Sequence, residues 1–171
     1  MHETPEIQPR ALELIDKLNL QEHPEGGYYR NTYRSPYQFA PENKPGFEAL
    51  RHTASAIYYL LTNQQFSAFH KLKYDELWFY HEGAPITLCI LQSTDTLREI
   101  TLGPDLQAGQ QLQALIPAGF YFAAYLQAGE GYSLCSCVVS PGFDFQDFEL
   151  ADQEHLIHLF PNHAAIIKRF T

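Results

Sequence analysis

From residue 27 to residue 140 the side chains alternate with a period of two in short runs cut by glycine and proline, and this limits the folds open to the chain. GYYRNTYRS, SAIYYLLT, FSAFHKLK, ELWFYHE, ITLCILQS, LREITL, QLQALI, YFAAYL and GYSLCSCVVS each read as a strand. The separators APENKPG, EGAP, LGPD, PAG, QAGEG and SPG place Gly and Pro where tight turns need them. About nine strands with no helix between them predict an antiparallel sandwich or barrel rather than a parallel sheet. The 24 aromatic side chains (11 Tyr, 12 Phe, 1 Trp) favour strands too.

Helical spacing is confined to the ends. Leu12, Ile15 and Leu18 predict a short amphipathic helix over 9–20, which HPEGG stops. Asp152 is placed to cap a second helix reaching about Phe160, and Pro161 opens a third with Ile166, Ile167 and Phe170 as its apolar side. Neither repeat nor linker divides the 171 residues, so one all-β domain is expected over 1–171, long enough to bury a sizeable core.

Acidic residues outnumber basic ones by 20 to 11, and a formal charge of −9 gives no overall field to hold a polyanion. Nucleic acid is not an expected partner. No apolar run is long enough to span a bilayer and MHETPEIQPR lacks a secretory profile, so a cytoplasmic protein without a membrane partner is expected. Cys89, Cys135 and Cys137 are odd in number and lie in strand-like runs, which predicts buried, reduced thiols.

The chemistry concentrates in SAFHKLKYDELWFYHEG, residues 67–83. Alternation places Ala68, His70 and Leu72 on one strand face and Lys71 and Lys73 on the other, so the His70 face is expected to point inward. Glu76, Trp78 and Tyr80 would share the inner face of the next strand. His70 and Glu76 would then meet in one cavity.

These spacings resemble the first cupin motif, with His70 as its first His, Glu76 as its Glu and Gly83 as its last Gly, while Leu72 stands where a second His is usual. PAGxxF at 117–122 resembles the second motif, with Phe122 in place of its His. HPEGGYYRNTYRS, VVSPGFDFQDFELAD and LFPNHAAIIKRFT add a resemblance to the cupin superfamily-5 group of uncharacterised proteins, over nearly the whole chain. That resemblance implies a double-stranded β-helix, or jelly-roll, barrel with short terminal helices, in a homodimer. A metal centre usually has three or more protein ligands, so a lone His and Glu predict no bound metal, and no cofactor is expected.

Three functions fit such a cavity. One is binding of a small sugar-like or carboxylated ligand, with Trp78, Tyr80 and Phe122 as stacking faces, His70 and Glu76 as orienting groups and Arg30 as an anion grip. A second follows from the likeness of SAFHKL to the strand of metal-free sugar epimerases: His70 as general base, with a Tyr such as Tyr132 as the opposing acid. The third is a structural or storage-like cupin with no chemistry. His155 and His158, three apart, are expected on a solvated helix face.

Overall fold

In a computed structural model, residues 7–40, 50–92, 96–127 and 131–171 are described. Helix α1 (Pro9–Lys17) comes first, then strands β1 (Gln21–Glu22), β2 (Tyr28–Arg34), β3 (Gln38–Phe39) and β4 (Arg51–His52). The long strands follow: β5 (Ser55–Thr62), β6 (Ser67–Leu72), β7 (Asp75–Gly83), β8 (Ile86–Gln92), β9 (Thr96–Leu102), β10 (Gln113–Ile116), β11 (Tyr121–Leu126) and β12 (Tyr132–Ser140). β13 (Phe148–Leu150), α2 (Gln153–Leu159) and α3 (Ala164–Arg169) close the chain. Each of the nine expected strands is present, and β1, β3, β4 and β13 add short pairings. Most of the APENKPG and QAGEG turns lies outside the described residues.

Two sheets face each other as a jelly-roll sandwich. One is ordered β1-β2-β5-β12-β7-β10 and the other β13-β6-β11-β8-β9, with β3 and β4 paired apart. Every pairing between these strands is antiparallel. Trp78, Leu61, Leu88, Ile90 and Phe122 form the core between the sheets.

Neither sheet has a purely polar outer face. Leu156, Phe160, Ile167 and Phe170, from the C-terminal helices, cover Phe69, Leu91 and Tyr121 on the back of the five-stranded sheet. Leu156 is fully buried there, and a leucine so placed contributes roughly 1.5–3 kcal/mol. Ala11 and Leu14 of α1 seat on Leu60 and Leu134 of the other sheet. Across the uncovered part of that sheet Tyr33, Ala56, Val138, Leu77 and Leu115 stand opposite one another in an apolar row spanning five strands.

The helix ends have local causes. α1 stops at Lys17, three residues short of the expected Leu20, because Asn19 takes a left-handed φ of 50° that an Asn tolerates better than most residues. Asp152 caps α2 as expected, accepting the His155 amide at 2.8 Å.

Candidate ligand-binding site

A cavity of about 160 Å³ opens at one end of the sandwich. Its walls come from β2, β5, β6, β7 and β12, and from the segment before β13. His70, Glu76 and Trp78 line it, as the alternation predicts. The carboxylate against His70, however, belongs to another residue.

Glu25 reaches the cavity because the backbone after it has no side chains. Gly26 and Gly27 have φ of 107° and 77°, in the left-handed region. A Cβ on Gly26 would lie 2.1 Å from the Phe66 carbonyl oxygen, and one on Gly27 2.7 Å from the Tyr59 hydroxyl. Only glycine lets the chain run this close to β5 and β6. Two bonds then fix the approach: the Ala68 amide donates to the Glu25 carbonyl at 2.8 Å, and the Tyr59 hydroxyl donates to the Gly26 carbonyl at 2.7 Å.

In that position Glu25 Oε2 lies 3.1 Å from His70 Nε2, and Oε1 accepts from the Ser67 hydroxyl at 3.0 Å. His70 Nδ1 sits 2.8 Å from the Ala68 carbonyl oxygen, which can only accept, so Nδ1 carries the ring hydrogen. Burial holds the His70 pKa down to about 4, so the ring is neutral at pH 7 and Nε2 is an acceptor. Any proton shared between Nε2 and Oε2 therefore comes from Glu25, whose pKa burial raises to about 7. His23, whose Nδ1 is 3.5 Å from the same oxygen and accepts the Glu25 amide, is also held below its ordinary value by burial.

Glu76 is raised further, to about 8, first by burial and then by the nearby Glu25 charge. The Trp78 indole draws it partly back, but the two do not reach hydrogen-bond geometry. Glu76 Oε2 and Trp78 Nε1 are both buried without a hydrogen-bond partner among the described residues. His70 and Glu76 share the cavity, as expected, but no hydrogen bond or ion pair joins them.

Other expected site residues stand elsewhere. Phe122 is opposite His70 in register, with ring centroids 4.2 Å apart, and lies in the core behind the cavity wall. Tyr80 points to the same side as Trp78, but two residues advance a strand by about 6.5 Å. That carries it past the cavity, where its hydroxyl donates to the Gly83 carbonyl at 2.7 Å. Arg30 faces outward over the Tyr58 ring at 5.8 Å, and Arg34 lines the cavity in its place. The exchange arises from a register shift in β2 between Asn31 and Tyr33, which reverses the alternation. Tyr132, the suggested opposing acid, donates to Glu82 at 2.9 Å and does not line the cavity.

Among the described residues no group of three or more His, Cys, Asp or Glu side chains is arranged to hold a metal ion. Leu72 and Phe122 occupy two of the four places that a cupin centre fills with donors, so the residues do not fit one. The thiols do not help: Cys89, Cys135 and Cys137 are buried and free, and burial pushes Cys89 and Cys135 up to about 12.

A family model described as Cupin superfamily (DUF985) matches residues 12–151. The chain belongs to this cupin family. Two solved cupin relatives share its fold closely. A protein from Shewanella oneidensis is 39% identical, with a TM-score of 0.84 over 93% of this chain and 95% of its own. A hypothetical protein from Leishmania major is 36% identical, with a TM-score of 0.84 over 94% and 98%. An uncharacterised protein of Saccharomyces cerevisiae is 31% identical over 91% of this cupin and 82% of its own length.

Sequence reading missed Glu25, Tyr59 and Phe148 as cavity residues. The available signal was HPEGG itself: an acid followed by two glycines marks a place where backbone must pass close to backbone.

Proposed function

We propose that this cupin binds a small hydroxylated, sugar-like molecule in the cavity at the end of its sandwich, without a metal. The observation that carries the reading is a pair of buried polar atoms in a cavity wall, Glu76 Oε2 and Trp78 Nε1, left without partners among the described residues. A buried polar group without a partner costs roughly 1–3 kcal/mol, and a ligand bearing hydroxyls would remove that cost for both. Tyr59, Trp78 and Phe148 supply ring faces of the kind that pack on the apolar side of a pyranose.

Proton abstraction by His70 draws no support from this geometry. Both ring nitrogens are already engaged, and a base with a pKa of about 4 is weak near neutrality. A purely structural role does not account for the unpartnered atoms.

A thermal-shift screen of sugars and small polyols tests the proposal. A ligand at a hundred times its Kd adds about 2.7 kcal/mol of apparent stability, a rise of several degrees. Stabilisation by a compound of this class, lost in Glu76→Gln, is the expected result. A screen in which no such compound stabilises the wild type contradicts it.

A further inference from the structure

The charges around the cavity are one-sided. Glu25, Glu76 and Asp144 line it, and Arg34, exposed on β2, is the only Lys or Arg among the lining residues. Glu25 and Glu76 are both buried, and the Glu25 charge raises the cost of ionising Glu76. Glu25 has partners for both of its oxygens. Glu76 is 6% exposed, and its Oε2 is an acceptor for which the described residues provide no donor. A negative ligand group would have to enter against these carboxyls. A cation would offset the cost of ionising Glu76, which burial and a charge on Glu25 both raise.

The walls favour the same sign of charge. Tyr29, Tyr59, Trp78, Phe143, Phe145 and Phe148 line the cavity, and the faces of such rings attract ammonium groups, tryptophan most strongly. We propose that the occupant of this cavity is a small hydroxylated amine, its protonated amino group bonded to Glu76 and held among the aromatic walls. This rests on the reading of the cavity as a ligand site and narrows what it takes.

The proton balance follows. In the free protein near pH 7 Glu76 is largely protonated; on binding, its carboxyl gives up that proton to solvent and becomes the partner of the ligand's ammonium. The titratable groups around it are Glu25 ahead of β2, Tyr29 and Arg34 on β2, Tyr59 on β5, His70 on β6, Cys137 on β12, Asp144 in the segment before β13, and His23 beside Glu25. Of these, Tyr59 and Cys137 have raised pKa values and stay protonated near pH 7, while His70 stays neutral. The proton released therefore comes from Glu76, with a share from Glu25, whose pKa lies near 7.

Titration calorimetry at pH 7 with glucosamine, glucose and glucuronate, three six-membered rings differing in charge, tests the inference. Glucosamine is expected to bind at least tenfold more tightly than either of the others. Repeating the titration in buffers of different ionisation enthalpy should show close to one proton released with glucosamine and none with glucose. Glu76→Gln should weaken glucosamine at least tenfold more than it weakens glucose. The proton count is read on the wild-type protein, so it stands even where the variant folds poorly. Glucose or glucuronate binding as tightly as glucosamine, or glucosamine binding without proton release, overturns the inference and leaves the ligand reading intact. Binding by none of the three, with no stabilising compound in the thermal screen, overturns both.

Discussion

At the residue scale the site turns on which atom holds each proton. Glu25 and Glu76, raised to about 7 and 8, keep protons in the folded chain that the unfolded chain has released once pH passes the ordinary 4.5. Each therefore lowers stability as pH rises toward its folded value. His70, held near 4, and His23, also depressed, act in the opposite sense: below 6.5 the unfolded chain binds the extra proton, so stability rises with pH there. The opposed effects offset one another up to about pH 6.5, and the carboxyls act alone from there to about 8. The urea midpoint of the wild type should accordingly fall between pH 6.5 and 8, and the fall should be smaller in Glu76→Gln; a flat wild-type profile, or an unchanged fall in the variant, contradicts this. His70, Glu76 and Trp78 were legible from alternation and motif spacing. Glu25 was not, because its position comes from two glycines and a close backbone passage, for which no side-chain period exists.

At the scale of elements, alternation predicts facing well and position along a strand poorly. It placed Tyr80 on the correct side of β7 but could not say that the cavity ends at Trp78. One register shift in β2 exchanged Arg30 for Arg34, and nothing in NTYR announces a bulge. The segment that leads into β13, which with the start of that strand brings Phe143, Phe145 and Phe148 to the cavity, was equally silent in sequence, since its anchor is remote. Arg51 on β4 donates to Asp147 from Nε at 2.6 Å and from Nη2 at 3.0 Å, and both side chains are buried. Asp147→Ala would leave a buried guanidinium without its partner, at a cost of about 3–5 kcal/mol. Urea unfolding of that variant checks this, and a loss below about 1 kcal/mol would mean that the pair does not anchor the segment.

For the whole molecule, the period-two runs and their Gly and Pro separators made the sandwich legible before any coordinate, and the amphipathic ends made the three helices so. What the pattern obscured was the number of buried faces. Phe69 alternates with His70 yet is fully buried, because α2 and α3 cover the back of its sheet. Enclosure by two sheets and the 23–27 passage is what drives His70 to a neutral state, and the reading of the cavity depends on it. Nitrogen-resolved NMR of the His70 ring across pH therefore tests the account most directly. The predicted result is a neutral ring with its hydrogen on Nδ1 at pH 7, unchanged until the solution approaches pH 4. Titration near 6.5, or a hydrogen on Nε2 at pH 7, would contradict it.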